Sequence, residues 1–126
     1  MNRVLKLVNH TPSQAQIKQL QEDWNANQII DLPSELALKF SNVPPELIDL
    51  KPLALEFLSW IEDQKLQPTE PVWIQGESGL SFLIIQKLLA ENYTVIHATT
   101  IRNVIEEKGI KKSIFEHLLF RKFQII

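Results

Sequence analysis

Residues 75–79, Gln-Gly-Glu-Ser-Gly, form a short segment whose residue types suit ligand binding. They follow the apolar run 71–74, which predicts a strand, and precede a stretch that predicts a helix. Two of the chain's three glycines lie here. Glycine lets a ligand approach the backbone, and the first amides of a helix attract anions. The segment predicts either a tight turn or a phosphate-binding loop, whose ligand-binding residues are Gln75, Gly76, Glu77, Ser78 and Gly79.

Ser78 is predicted both to cap the helix and to donate to a phosphate, whereas Glu77 disfavours a bare phosphate and could accept from a ribose hydroxyl. The spacing of the glycines matches neither a dinucleotide fingerprint nor a P-loop. The segment therefore predicts a strand-to-helix turn that could bind a ligand, but it does not match a known nucleotide-binding motif.

Two further polar segments follow predicted strands. Asn9, His10 and Thr11 come after the first strand, and Thr99, Thr100 and Arg102 come after the fourth. Ligands of open α/β sheets bind beyond the carboxyl ends of the strands, so we expect all three segments to meet at one edge. Histidine titrates near neutrality, which makes His10 a capping residue or a proton carrier. Hydroxyls beside a guanidinium suit a phosphate.

The last quarter of the chain is basic. From residue 101 to 126 there are six Lys and Arg against three Glu, although the whole chain has a net charge of −2. Strict alternation would place His117, Arg121 and three apolar residues on one face of a strand, where they would hold a nucleotide by charge and stacking, or form an ordinary solvated edge. The apolar three are Phe115, Leu119 and Phe123. His97 is predicted to be packed in the core.

The pattern of apolar residues predicts the order strand, helix, strand, helix, strand, helix, strand. The predicted strands are 3–10, 28–33, 71–75 and 94–100, and the predicted helices are 12–24, 51–66 and 80–92, with a loop between helices at 42–46. This alternation is typical of a doubly wound sheet with helices on both faces. The tail predicts an antiparallel β-hairpin turning at Lys108 and Gly109, with a helix over 113–120 as the alternative.

Composition limits the function further. A length of 126 residues with 44% hydrophobic residues predicts one domain, residues 1–126. The pI of about 5.9 argues against a protein that coats long nucleic acids. Cysteine is absent, and no spacing of a metal site occurs. No signal peptide or membrane span is predicted, so the expected location is the cytoplasm. We expect no cofactor.

Taken in order, several segments resemble the Csx ring nucleases of type III CRISPR systems. They are Asn9-His10-Thr11-Pro12, Val43-Pro44-Pro45, Ile74-Gln75-Gly76-Glu77-Ser78-Gly79, Ala98-Thr99-Thr100-Ile101-Arg102 and the segment Phe115-Glu116-His117-Leu118-Leu119-Phe120-Arg121-Lys122-Phe123. The resemblance spans nearly the whole chain. Three positions differ, since Glu77 stands for Asp, Asn9 for Ser and Phe123 for Tyr, which leaves no hydroxyl at the last two.

The resemblance implies a Rossmann-like domain of the CARF type, a homodimer, and cyclic tetra-adenylate as the substrate. Metal-independent cleavage would give linear di-adenylate ending in a 2′,3′-cyclic phosphate and would switch off antiviral signalling. Thr99, Thr100 and Arg102 would hold the ring phosphates, and Lys112 and Arg121 would stabilise the transition state. His10 or His117 would be the general acid or base, or positioning alone would give a slow turnover. The alternatives are a sensor that binds the ring without cutting it and a small nucleotide-binding module.

Overall fold

The computed structural model describes residues 2–126, which form five strands and four helices. The strands are β1 (Asn2–Val8), β2 (Ala26–Asp31), β3 (Val72–Gln75), β4 (Val95–Glu107) and β5 (Ile110–Lys122). The helices are α1 (Gln14–Trp24), α2 (Ser34–Ser41), α3 (Lys51–Asp63) and α4 (Ser78–Ala90). The predicted alternation of strands and helices is confirmed.

The strands form one sheet in the order β2-β1-β3-β4-β5. Strands β1 to β4 pair in parallel, and β5 pairs antiparallel with β4. The fold is therefore mixed α/β with a mostly parallel sheet and a C-terminal antiparallel pair. The chain turns at Lys108 and Gly109, both with positive φ, as the hairpin prediction required. The alternative prediction of a helix over 113–120 is wrong, because these residues form part of β5 and all but Leu118 pair with β4.

Each face of the sheet has its own core. On one face Leu20 of α1 packs against Val4, Trp73, Ile96 and Phe120. On the other face α2, α3 and α4 cover the strands, with Phe40, Phe57, Ile61, Ile84 and Leu88 among the buried residues. Alternate residues of β1 and β3 supply the two cores, as expected for strands buried on both faces. Helices on both faces are confirmed.

Two helix starts differ from the sequence prediction. The helix predicted from residue 12 begins at Gln14 and is capped by Ser13: the Ser13 hydroxyl accepts from the Gln16 amide, and the Gln16 side chain accepts from the Ser13 amide. This reciprocal arrangement satisfies two amides at once. The cap of α4 is Glu77, and Ser78 is the first residue of the helix. The predicted capping role of Ser78 is therefore wrong.

A β-bulge in β5 changes which side chains of the hairpin share a face. Thr99 pairs with Leu119 but Thr100 pairs with His117, so Leu118 is an extra residue. An extra residue reverses which face the following side chains occupy. As a result His117 lies against Phe120 on the α1 side, whereas Arg121 lies beside His97 on the α4 side. The prediction that His117 and Arg121 share a face is wrong.

Beyond the bulge the hairpin leaves the body of the protein. Residues 100–116 are all exposed, including several large apolar side chains. We call residues 100–118 the arm. The face of the arm that continues the α4 side of the sheet carries four isoleucines: Ile101, Ile105, Ile110 and Ile114. An isolated two-stranded hairpin is at best marginally stable in water, so the arm lacks the support that a third strand or a helix would give.

The connection from α3 to β3 is tied to β1 by one buried carboxylate. Glu70 is 4% exposed and accepts from the Arg3 amide, the Arg3 guanidinium and the Gln67 amide. Arg3 also donates to the carbonyls of Gln64 and Lys65. In α3, Ala54, Phe57 and Ile61 are buried, whereas Leu55 is 61% exposed. Within residues 2–126 no helix is long and apolar enough to cross a membrane.

Candidate functional site

The site is set by a reversal in the order of the strands. From β1 the chain moves outward in one direction to β2, and from β3 it moves outward in the other direction to β4. At such a point the loops after two adjacent parallel strands diverge and leave a crevice. The loops that follow these two strands are residues 9–13, after β1, and residues 76–77, after β3. These two predicted segments are therefore neighbours at the carboxyl edge.

His10 lies at this crevice with one ring nitrogen committed. Its Nδ1 is 3.1 Å from the carbonyl oxygen of Thr11, which can only accept, so Nδ1 carries the proton in this contact. The ring stands edge-on to Trp73 with centroids 5.9 Å apart. The side chain of His10 is exposed, and Nε2 remains as an acceptor. This tautomer suits a general base.

Lys6, which the sequence analysis missed, holds the backbone of this loop in place. Its ammonium donates to the carbonyls of Val8 and His10, each at 3.0 Å, and lies 3.3 Å from Asp31 Oδ1. The Lys6 side chain is only 11% exposed. A cavity of about 570 Å³ lies beside it, between β1, β2 and α2. Asn9, His10, Thr11, Ser34 and Ser41 are among its lining residues.

Packing explains Gly76, in the β3–α4 loop, and Gly79, in the first turn of α4. A Cβ on Gly76 would lie 2.5 Å from two ring carbons of Phe40, and one on Gly79 would lie 3.1 Å from Leu50 Cδ1. The Glu77 carboxylate accepts from the Leu80 amide at 2.6 Å and so covers part of the α4 N-terminus. The glycines therefore serve a close-packed turn. A phosphate at this helix end would meet the Glu77 carboxylate.

Gln75 joins two strands that separate. Strands β3 and β4 pair only at Val72–Val95 and Trp73–Ile96. Beyond that, Gln75 Oε1 accepts from the Trp73 indole at 2.7 Å and from the Ala98 amide at 2.9 Å. The side chain of Gln75 thus replaces missing backbone pairing. Its predicted ligand role remains a prediction beside this structural one.

A second cavity, of about 760 Å³, begins at the same loop and runs along α4 on the other side of the strand reversal. His97 lines this cavity and is half-buried, so the prediction that it is a packed core residue is wrong. Its ring tilts against Phe123 with centroids 4.6 Å apart, and Arg121 Nε lies 3.3 Å from His97 Nε2. Burial, followed by the Arg121 charge, lowers the pKa of His97, which favours the neutral ring.

The remaining predicted residues lie along β4 and β5 and do not converge within one chain. Thr99 exchanges hydrogen bonds with the backbone of Leu119, and Thr100 is exposed. Arg102 donates twice to Ser113 Oγ across the arm, and Lys112 pairs with Ile105 on the opposite face. With a rise of about 3.3 Å per residue, Arg102 lies roughly 13 Å along the strand from Ala98. Their roles need a second chain or stay unsupported.

His117 faces away from the crevice. Its Nε2 is 2.5 Å from Gln19 Oε1 of α1, and its Nδ1 is buried without a hydrogen-bond partner among the described residues 2–126. Burial lowers the pKa of His117. A ring held in this way is poorly placed to exchange a proton with a ligand at the crevice. Of the two predicted acid–base histidines, the geometry favours His10.

Comparison with known proteins shows similarity over nearly the whole chain. Residues 2–121 match the family described as "Uncharacterized protein MJ1673 family". The chain belongs to the MJ1673 family. It is 31% identical over 133 residues to the "Uncharacterized protein MJ1673" of Methanocaldococcus jannaschii, covering 98% of both proteins. No solved structure matches the chain.

Several residues of the two cavities had no clear sequence signal in this member of the MJ1673 family. Lys6 lies in an alternating strand, where it resembles any solvent-facing residue. Ser81 and Gln86 interrupt an otherwise apolar helix, and that interruption was the available signal. Within residues 2–126 no group of three or more His, Cys, Asp or Glu could hold a metal ion.

Proposed function

We propose that this protein is a ring nuclease that cleaves cyclic tetra-adenylate to linear di-adenylate and so ends type III CRISPR signalling. The domain would be Rossmann-like, of the CARF type, and cytoplasmic. One observation carries the proposal: the exposed His10, with Nε2 left as an acceptor, lies at the strand reversal beside a cavity whose lining includes Asn9, Thr11 and Ser34. Ligands of open α/β sheets bind at this position.

The chemistry needs only a base, positioning and charge. His10 Nε2 would take the proton of a ribose 2′-hydroxyl as the 2′-oxygen attacks the adjacent phosphorus. The bond from phosphorus to the 5′-oxygen breaks, the proton returns to that oxygen, and a 2′,3′-cyclic phosphate remains. A positioned base contributes typically 10²- to 10⁴-fold. Lys6, through the carbonyl of His10, would fix the backbone that carries the ring.

A homodimer would supply what one chain lacks. A ring of four equal units has two-fold symmetry, so a two-fold dimer presents His10 twice and can cut two opposite bonds. The arm of the partner chain would bring Arg102 and Lys112 to the crevice, which they do not approach within one chain. Arg121 would act from the cavity wall, beside His97.

The arm is the surface that we assign to the dimer. Its isoleucine face is exposed and continuous with Leu119, Phe123 and Phe82 on the α4 side. The same face carries Glu107, Lys112 and Glu116, so two copies in antiparallel contact can pair opposite charges. Residues 101–126 have three more positive than negative charges, and residues 1–100 have seven Lys and Arg against twelve Asp and Glu. Arm and body therefore attract.

Ile105→Glu should convert the dimer to a monomer, because it places a charge in the centre of the isoleucine face. Val104→Glu is the matched control, since Val104 is equally apolar and exposed but lies on the opposite face of the arm. Light scattering coupled to gel filtration measures the mass of each variant. If the Ile105→Glu protein remained a dimer, this face would not be the interface.

Ring cleavage in excess EDTA tests the activity itself. Purified protein should convert cyclic tetra-adenylate to di-adenylate ending in a 2′,3′-cyclic phosphate. Chromatography of the reaction products measures this conversion. Under single turnover, His10→Ala should lower the rate by about 10²-fold or more, whereas His117→Ala should change it little. Tight binding without cleavage would indicate a sensor instead. A full rate for the His10→Ala protein would remove His10 as the base.

A further inference from the structure

The cavity along α4 has the shape and chemistry of a built binding site. Its volume of about 760 Å³ lies within the range of small-molecule pockets. It is enclosed by α4 on one side and by β3, β4 and residues 123–125 on the other. Its walls are largely apolar and include two aromatic rings, from Phe82 and Phe123. Phe82 is 63% exposed.

A buried hydroxyl marks the cavity as more than a packing defect. Ser81 is 7% exposed and lines the cavity, yet its Oγ has no hydrogen-bond partner among residues 2–126. Its own amide already donates to the Glu77 carbonyl within the helix. A buried polar group without a partner costs stability, so the fold does not need this hydroxyl. A ligand atom in the cavity would satisfy it.

We propose that this cavity binds a purine base, and specifically adenine. Phe82 and Phe123 offer ring faces for stacking, and every base has such a face. Gln86 and Gln124 also line the cavity, and a Gln amide pairs in two-point fashion with the N6 and N7 edge of adenine. Ser81 Oγ adds a further polar contact deep in the cavity. The choice of adenine rests on the proposed function, whereas the base-sized site does not.

The cavity begins beside the loop that flanks the crevice. Ile74, Gln75, Gly76 and Ser78 line it, at the end of β3 and the start of α4. A nucleotide whose base lies in the cavity would therefore place its ribose and phosphate near the carboxyl edge of the sheet. This arrangement separates recognition of the base from cleavage of the phosphodiester, which occur at two neighbouring places.

Calorimetry tests the site by measuring how tightly adenosine and uridine bind to the intact protein. We expect adenosine to bind more tightly than uridine. Ser81→Ala should weaken adenosine binding about tenfold, the effect of one good hydrogen bond, with an unchanged or higher melting temperature. Ser59→Ala on α3, an exposed serine outside the cavity, is the control and should change neither. Equal affinity of the Ser81→Ala and wild-type proteins would overturn the proposal.

Phe82→Ala provides a second variant that should fold, because Phe82 is an exposed helical side chain. It should also weaken adenosine binding, and unchanged binding would count against stacking in the cavity. Binding that matches wild type in both cavity variants would place adenosine outside this cavity and overturn the proposal. Adenosine binding without ring cleavage would keep this inference and end the proposed function. Ring cleavage that is insensitive to Ser81→Ala and Phe82→Ala would keep the proposed function and end this inference.

Discussion

Glu70→Gln should lower the free energy of unfolding at neutral pH by about 2 to 3 kcal/mol, a large effect for one isosteric change. The Glu70 carboxylate is buried and accepts from three separate donors, of which the Arg3 guanidinium is the strongest. Hydrogen bonding to Arg3, ahead of the Gln67 and Arg3 amides, lowers the pKa of Glu70 to about 2. A neutral amide keeps the shape but leaves the Arg3 charge unpaired. Solvent at the partly exposed Arg3 keeps the loss at the lower end of the range for buried pairs.

The dependence on pH follows from the direction of that shift. Because the folded pKa lies below the ordinary value of 4.5, the folded protein binds fewer protons than the unfolded chain at acidic pH. The contribution of Glu70 is therefore fully present above about pH 4.5 and is lost as the pH falls towards 2. Urea unfolding at several pH values should show wild type and Glu70→Gln converging over this interval.

Glu91→Gln supplies the comparison. Glu91 also pairs with a cation, Lys87 at 3.2 Å, but both side chains are about half exposed. An exposed i,i+4 pair contributes at most about 0.5 kcal/mol. A loss in the Glu91→Gln protein equal to that in the Glu70→Gln protein would mean that burial does not give Glu70 its importance.

The order of elements could be predicted from the sequence because it depends on local periodicity. The run 71–74 is apolar and short, and α4 follows it with helical spacing. The hairpin turn at Lys108 and Gly109 could also be predicted from local sequence, because a turn with positive φ favours glycine. The reversal between β1 and β3, which places the crevice, needs the order of strands in space and follows only from the whole fold.

The faces of the hairpin could not be predicted because one residue decides them. Leu118 is an ordinary apolar residue, and nothing in its neighbours marks a bulge. Once it is inserted, His117 turns to α1 and Arg121 to α4, and the predicted combined site divides into two. The predicted capping role of Ser78 is wrong because the start of α4 also differs by one residue. Glu77 reaches the Leu80 amide, so the serine lies one residue too late to cap.

The glycines of the β3–α4 loop show how one pattern serves two explanations. A ligand and a close-packed turn both favour Gly at position 76, and the sequence does not separate them. The Phe40 ring does, because it occupies the space that a Cβ would need. The functional interest of the loop therefore moves from its glycines to the cavities on either side of it.

Trp73→Ala should lower the free energy of unfolding by about 3 to 5 kcal/mol, the largest effect that we expect from one substitution. Trp73 is fully buried in the middle of the sheet. Its ring packs edge-on against Phe120, with centroids 4.9 Å apart, and against His10. Its indole donates to Gln75, which in turn holds Ala98. Alanine would leave a large cavity and release these partners together.

Trp73→Phe separates the packing from the hydrogen bond. Phenylalanine keeps an aromatic ring in the core but removes the indole donor to Gln75, so we expect a smaller loss of about 1 to 2 kcal/mol. Circular dichroism during urea unfolding measures both variants without relying on the fluorescence of the removed tryptophan. Equal losses in the two variants would mean that the donor to Gln75, rather than the ring, stabilises this part of the sheet. A larger loss in the alanine variant would show that the ring anchors the strand that carries the candidate site.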